Sequence, residues 1–300
     1  MPNFTIHKHE SFALRKGWLH KGIRNIMVDA RLFTRSDGEE NKACDKLGIR
    51  VNMVKAMRYW MNATKVMTEN AQRHQFVSPI GAIINQHDPY FEERGTNYII
   101  HYLLASNKQE ATAWWWFFNK HNGLTIDKAQ FVEDFNYYLK SQGEPESKVL
   151  EGEFDVLMRT YYDKSEGSEK FDPEETRICP LTELRLVTLI DSKTKEYKKV
   201  MPDKDDIHPL IAYAVISEKQ RELGATQIQI SELLLGENNI GRIFNLDRST
   251  VFYIIERLEQ MGYLSIVRTA GLDVINIRQQ HTLLECLTLY YQTLEEVGNA

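Results

Sequence analysis

The chain has 300 residues, with 37 lysines and arginines against 42 acidic residues, a formal net charge of −5, and 42% apolar residues. These values exclude disordered and fibrous proteins, predict two or three compact units, and argue against a chain that coats nucleic acid indiscriminately. Three widely spaced cysteines (Cys44, Cys179 and Cys286), no apolar leader and no run of about 18 uncharged apolar residues lead us to expect a cytoplasmic protein with no membrane partner.

Charge is distributed unevenly along the chain. Residues 1–75 hold 14 lysines and arginines against 7 acidic residues, whereas residues 144–178 hold 5 against 11 and residues 205–281 hold 7 against 10. Neutralisation of phosphates by basic side chains supplies most of the nonspecific affinity of a protein for DNA. The basic first segment is therefore the best electrostatic partner for DNA, and the middle of the chain is the poorest.

Histidines and an acid cluster near the N-terminus, at His7, His9, Glu10 and His20. These side chains could meet at a metal, but the pattern lacks the paired downstream ligands by which zinc sites are recognised. We therefore expect no metal and no cofactor here. We interpret His9 and Glu10 as polar contacts that hold the N-terminal segment in place.

A helix-turn-helix is predicted next, with one helix over residues 39–47, a turn at Gly48 and a second helix over residues 51–61. Met53, Val54, Met57 and Trp60 would face inward. The opposite side carries basic and amide groups that can contact phosphates and base edges. The candidate DNA contacts of this segment are Arg50, Asn52, Lys55 and Arg58. The alternative is a solvated basic helix face.

The middle of the chain favours helix, since residues 98–104, 111–119 and 128–139 are rich in helix formers and aromatics. We predict an all-helical middle. Five consecutive aromatic residues at 114–118 could stack unpaired bases. Aromatics at consecutive helical positions point all round the helix, however, so we favour core packing.

An apolar segment at residues 178–190 follows a loose patch at residues 164–175, and Pro180 sets its start. Cys179 could be a reactive thiol, but no neighbouring base marks it, and a buried inert cysteine is commoner. The sequence contains no phosphate-binding loop, dinucleotide fingerprint, nucleophile elbow or zinc-protease motif. We therefore expect a protein that is not an enzyme.

The C-terminal third has the order of a winged helix-turn-helix: helices at residues 209–223, 231–244 and 246–263, then short strands at 264–267 and 274–277 with a turn at 269–271. Val251, Ile254, Ile255, Leu258 and Met261 form an apolar stripe on the third helix. Asp247 or Ser249 can cap its start, and Gly262 can end it; Gly236 and Gly241 should break or bend the second helix.

The third helix of this segment is a candidate recognition helix, because the leading residues of such helices read base edges in the major groove. Its candidate DNA contacts are Arg248, Ser249, Thr250, Tyr253, Arg257 and, at the wing, Arg268. The acidic balance of residues 205–281 disfavours a tight fit to phosphate. The alternative is a winged helix used for protein docking or dimerisation.

Four sets of short motifs together resemble the bacterial domain of unknown function 4007 family, over most of the chain. They are His9-Glu10-Ser11-Phe12-x-Leu14-Arg15-x-Gly17-Trp18-Leu19-x-Lys21; Leu47-Gly48-Ile49 with Asn52-Met53-Val54 and Met57-Arg58-Tyr59-Trp60; Leu103-Leu104-Ala105-Ser106-Asn107 before Trp114 and Asn119; and Cys179-Pro180-Leu181-x-Glu183-Leu184. Arg185 and Lys8 stand where the family pattern has glycine, so the turns at these two positions are expected to differ.

The resemblance implies a place in bacterial gene neighbourhoods for DNA sulfur modification and phage defence, with no catalytic residues to carry across. We expect a mostly α-helical protein with winged helix-turn-helix units at both ends: a basic domain at 1–75, a helical middle with an acidic loop at 76–200, a winged helix at 201–281 and a C-terminal helix at 282–300. It would be a non-enzymatic accessory or regulatory protein that binds double-stranded DNA, with homodimerisation open. The alternative is a scaffold that recruits a DNA-modification or sulfur-transfer enzyme without contacting DNA.

Overall fold

A computed structural model describes residues 4–34, 39–163, 178–269 and 272–298. The described chain is mostly α-helical, with small antiparallel sheets. It divides into two compact units: unit 1 comprises Met1–Phe117 and Asn122–Lys199, and unit 2 comprises Phe118–His121 and Val200–Ala300. No helix in the described ranges is both long enough and apolar enough to cross a bilayer.

Unit 1 begins with three helices and a hairpin. The helices are α1 (Trp18–Val28), α2 (Glu39–Leu47) and α3 (Val51–Ala63), and the hairpin pairs β1 (Met67–Glu69) with β2 (Gln75–Val77). Gly48 makes the turn between α2 and α3 at φ 60°, a conformation that glycine adopts without steric cost. The helices predicted at 39–47 and 51–61 are present as α2 and α3, and α3 packs against both α1 and α2.

Five further helices follow: α4 (Pro79–His87), α5 (Arg94–Ala105), α6 (Thr112–Asn119), α7 (Lys128–Ser141) and α8 (Leu150–Tyr161). The side chain of Asp127 caps α7 by accepting from the Gln130 amide. The aromatic run at 114–118 is core, as predicted, since none of its side chains is more than 4% exposed. Trp114 packs edge-on against Trp60 of α3, with ring centroids 5.2 Å apart.

The prediction of an all-helical middle is wrong. A three-stranded sheet with the order β3-β5-β4 lies there, formed by β3 (Thr125–Ile126), β4 (Val187–Asp191) and β5 (Glu196–Lys199). Strands of two to five residues are too short to show a period of two along the sequence, and the lysine-rich β5 resembles a loop. The loose patch at 164–175 lies outside the described residues.

Unit 2 alternates helices and short strands. Its elements are α9 (Pro209–Leu223), β6 (Gln227–Gln229), α10 (Ile230–Leu235), α11 (Ile240–Ile243), α12 (Arg248–Gln260), β7 (Leu264–Thr269), β8 (Leu272–Ile277) and α13 (Leu283–Gly298). The strands form a sheet with the order β6-β8-β7, of which β6 was not predicted. The turn predicted at 269–271 falls largely outside the described residues.

The local signals of α12 act as predicted. The Asp247 carboxylate accepts from the Thr250 amide at 2.8 Å, and Gly262 follows the helix at φ 81°. The break in the predicted helix at 231–244 is also present: α10 ends at Leu235, before Gly236, and α11 begins at Ile240. A Cβ at Gly241 would lie 2.3 Å from the Leu234 carbonyl oxygen, so a glycine lets α11 pack closely against the end of α10. Met261 is a correction: it follows the last helical turn and is 40% exposed, so it is not part of the buried stripe.

Candidate nucleic-acid interface

The start of α3 presents polar side chains to solvent. Arg50 is the N-cap residue in extended conformation, and both Arg50 and Asn52 are exposed, whereas Lys55 is half-buried one turn later. None of these three side chains has an acidic partner within the described part of the chain. They are therefore available to an external ligand.

Arg58, the fourth candidate on α3, is already engaged. Its guanidinium donates to both carboxylate oxygens of Glu69, with nitrogen–oxygen distances of 2.6 to 2.9 Å. Such fork-shaped pairs are stronger than single contacts and fix the side chain in place. A phosphate must therefore compete with Glu69 for Arg58. Lys46 of α2 is similarly paired, and its hydrogen bond lowers the pKa of Asp29.

The basic side chains of α12 and the β7 strand are paired with acids of the same unit. Arg248 donates to Asp273 at 2.9 Å, and Arg268 donates to Glu256 at 3.1 Å. Arg257 lies 3.8 Å from Asp205. All three arginines therefore carry local countercharges, which reduce the field that a phosphate would meet.

The remaining candidates on α12 are also occupied. The Tyr253 hydroxyl donates to Asp205 at 2.5 Å, which raises the pKa of Tyr253. Ser249 donates to Asp247, the capping residue. Thr250 is only 5% exposed and donates to the Met201 sulfur, so its side chain faces the interior. Among the ten sequence-derived candidates, the structure leaves Arg50, Asn52 and Lys55 with the fewest internal bonds.

Part of the histidine cluster considered from the sequence is brought together, with a partner that the sequence did not indicate. The His9 Nε2 lies 2.9 Å from the Glu153 Oε2 of α8, and the His7 backbone amide donates to the same oxygen at 2.9 Å. His20 instead packs against Tyr90, with ring centroids 4.7 Å apart. The side chains of His7, His9 and Glu153 thus form a cluster able to ligate a metal.

Cys179 is buried at 1% exposure, and burial raises its pKa to about 12. A thiol with such a pKa is almost entirely protonated at neutral pH, whereas the thiolate is the nucleophile. The surroundings of Cys179 therefore agree with its interpretation as a buried, unreactive core residue.

The turn after Leu184 forms despite the arginine at the next position. Residues Pro180–Leu184 form a short 3₁₀ helix, and Arg185 ends it in the left-handed region at φ 52° and ψ 34°. A non-glycine residue is strained there. This backbone conformation is one that glycine adopts without strain.

The sequence profile of DUF4007, a family of proteins of unknown function, matches residues 6–291. The chain belongs to this family. Its motifs fall on the elements just described, from the histidine segment to the 3₁₀ helix. No curated protein matches the chain.

Two solved structures share the fold. One is magnesium ion-bound SspB, with a TM-score of 0.80, and the other is SspB, with a TM-score of 0.78. Each is 21% identical to this member of DUF4007, and each alignment covers 99% of this chain and 88% of that chain.

Sequence reasoning missed the acidic partners of the candidate residues. Glu69, Asp205, Asp273 and Glu153 stand between 11 and 146 positions from the groups that they contact. A single acidic residue in a polar segment carries no signal of its partner. The charge balance of the sequence indicated only that residues 205–281 contain more acidic than basic side chains.

Proposed function

We propose that this member of DUF4007 is a non-enzymatic accessory or regulatory protein that binds double-stranded DNA through α3, within a bacterial DNA-modification or phage-defence system. The observation that carries the proposal is a set of polar side chains at the start of α3, namely Arg50, Asn52 and Lys55, that have no acidic partner among the described residues. They lie in the most basic segment of the chain. The defence context comes from the family resemblance.

The chemistry of these groups suits a duplex. Arg50 and Lys55 can neutralise phosphates without first breaking an ion pair to any described acid. Asn52 can form paired hydrogen bonds with an adenine edge, so it supports sequence readout without adding charge. Arg58 supports binding only when a phosphate displaces Glu69.

We infer a winged-helix arrangement for unit 2 from the order of α9, β6, α10, α11, α12, β7 and β8. The ion pairs of Arg248, Arg257 and Arg268 favour a second role for this unit, the docking of a protein partner. A DNA-modification or sulfur-transfer enzyme fits the family context as that partner. If α3 binds no DNA, the whole protein is the scaffold considered as the alternative.

The non-enzymatic part of the proposal has its support in Cys179. Cys179 was the simplest candidate nucleophile in the sequence, and its thiol is buried and protonated. Incubation of supercoiled plasmid with the protein, with and without magnesium, tests this part. The plasmid should stay supercoiled, and strand nicking that depends on the protein would overturn it.

The DNA contact is tested by binding to duplex across a salt series. Replacing Lys55 with Ala should weaken binding to all duplexes and reduce the slope of log affinity against log salt by about 0.9 for each lost phosphate contact. Replacing Asn52 with Ala should change sequence preference and leave the slope unchanged.

The matched control is Arg248→Ala on α12, which removes one arginine that is already paired with Asp273. Its salt slope should equal that of the parent. If the parent shows no salt-dependent binding to duplex, or if Lys55→Ala binds as the parent does, the DNA role of α3 fails and the scaffold takes its place.

A further inference from the structure

We propose that His7, His9 and Glu153 form a binding site for a divalent transition-metal ion such as Zn²⁺. One donor atom from each of the three side chains lies within 4.8 Å of the other two. The site goes beyond the proposed DNA contact and is independent of it. It would tie the N-terminal segment to α8 through a metal as well as through hydrogen bonds.

Burial distinguishes this cluster from an ordinary surface group of acids and histidines. His9 is fully buried and Glu153 is 1% exposed. The His9 ring packs edge-on against Tyr59 and Trp114, at centroid distances of 5.8 Å in both cases. A carboxylate in such apolar surroundings needs positive charge or several donors to offset its lost hydration.

The hydrogen bonds within the cluster leave one ligand atom unused. Glu153 Oε2 accepts from the His7 amide and contacts His9 Nε2, but the buried Nδ1 of His7 has no hydrogen-bond partner in the described part of the chain. The His7 ring lies over Gly152, directly before Glu153 on α8. A cation bound by these groups would satisfy the unpaired nitrogen.

The backbone that carries the histidines is held in an unfavourable conformation. His7, Glu10 and Ser11 all have positive φ values, at 61°, 49° and 63°. Non-glycine residues in this region cost energy, and such strain concentrates at functional sites. The strained turn brings the His7 amide and the His9 ring to the same carboxylate oxygen of Glu153.

Metal binding changes the tautomer of the His9 ring in a defined way. The Ser11 amide donates to His9 Nδ1 at 3.2 Å, so Nε2 carries the ring proton and donates it to Glu153. A cation would take the place of that proton on Nε2, and the ring proton would move to Nδ1. The long Ser11 contact would then open, which gives metal binding a signature at the Ser11 amide.

The donor set selects the kind of cation. Imidazole nitrogens suit Zn²⁺, Fe²⁺ and Ni²⁺, whereas Mg²⁺ and Ca²⁺ prefer sites made of oxygen ligands. Two imidazoles and one carboxylate also leave a fourth position for water in a tetrahedral zinc site. The site should therefore bind Zn²⁺ or its spectroscopic substitute Co²⁺ and should ignore Mg²⁺.

The test is a titration of the full chain, freed of metal by chelator, with Co²⁺ followed by visible absorption. One equivalent should bind with the bands of a tetrahedral site, Zn²⁺ should displace it, and Mg²⁺ should not. Zn²⁺ should also raise the thermal midpoint of unfolding and shift the Ser11 amide resonance. Failure of the wild type to bind one equivalent would overturn the site.

The matched variants are His7→Ala and His20→Ala, since each removes a ring whose Nδ1 lacks a partner within the described ranges. His7→Ala should weaken Co²⁺ binding at least about tenfold, while its circular dichroism stays that of the metal-free parent. His20→Ala should leave the affinity unchanged. If His7→Ala binds as tightly as the parent, the cluster is only a hydrogen-bonded contact between the N-terminal segment and α8. That outcome would not bear on DNA binding, which is measured separately.

Discussion

Ile255 offers a quantitative test of the unit 2 core, through substitution with Val, Ala and Asp. It is 0% exposed on α12, which packs against α9 and β7. Removing one methylene to give Val should cost about 1 kcal/mol, and removing three carbons to give Ala should cost about 3 kcal/mol, since a transfer term of about 0.8 kcal/mol per carbon is joined by the cost of the cavity. Ile255→Asp should prevent unit 2 from folding, because its carboxylate would lose hydration without gaining a partner.

The assay uses the cysteines that the two units bury. Cys286 on α13 belongs to unit 2 and is 0% exposed, whereas Cys179 belongs to unit 1 and is 1% exposed. Burial raises the pKa of each thiol to about 12, so both should react with a thiol reagent only after opening. Mass spectrometry of labelled peptides then reports the stability of each unit in the same sample.

When closing is faster than labelling, the labelling rate follows the opening equilibrium. The Cys286 rate should then rise about fivefold in Ile255→Val and about a hundredfold or more in Ile255→Ala, at about 1.4 kcal/mol per tenfold. The Cys179 rate is the internal control for unit 1. A Cys286 rate in Ile255→Ala within about twofold of the parent would refute the assignment of Ile255 to a tightly packed core.

Three further predictions concern a turn, a cap and an ion pair. Arg185→Gly should be more stable than Arg185→Ala by about 1 kcal/mol in chemical denaturation, because glycine adopts the left-handed backbone conformation without strain. Both variants lose the arginine side chain, so their difference reports the backbone alone; equal stabilities would show that the backbone at this position is not strained. Burial lowers the pKa of His208, whose side chain caps α9 by accepting from the Leu210 amide, so the unfolded state takes up the proton more readily and stability should fall as the pH drops below about 6.5. His208→Asn keeps a capping group that does not titrate. Thermal melts from pH 8 to pH 5, about the range in which histidine changes charge, should therefore show a smaller loss of stability in this variant than in the parent. An equal loss in both proteins would show that a group other than His208 causes the pH dependence. Glu69→Gln should tighten duplex binding and steepen its salt dependence by releasing Arg58, and unchanged binding in a filter or anisotropy assay would show that this arginine faces no phosphate.

Much of the helical fold could be predicted from local patterns. The bounds of α9 and α2, the cap at Asp247 and the stop at Gly262 all follow from residues close in sequence. The strands β3 to β6 could not be predicted from local patterns, because each is short, and β3 and β6 pair with strands that are distant in sequence. Short strands have no stability of their own.

The candidate site likewise has a part that the sequence predicts and a part that only the tertiary structure shows. The sequence by itself determined which side chains stand at the start of α3 and α12, because helical periodicity and capping are local properties. Only the tertiary structure decided which of them remain unpaired: it placed Glu69 on Arg58, and Asp205 on Tyr253 and Arg257, but no described acid on Arg50. It likewise brought Glu153 to His9, 144 positions away, because ionic and hydrogen-bonded contacts depend on distances that folding creates and that no local pattern records.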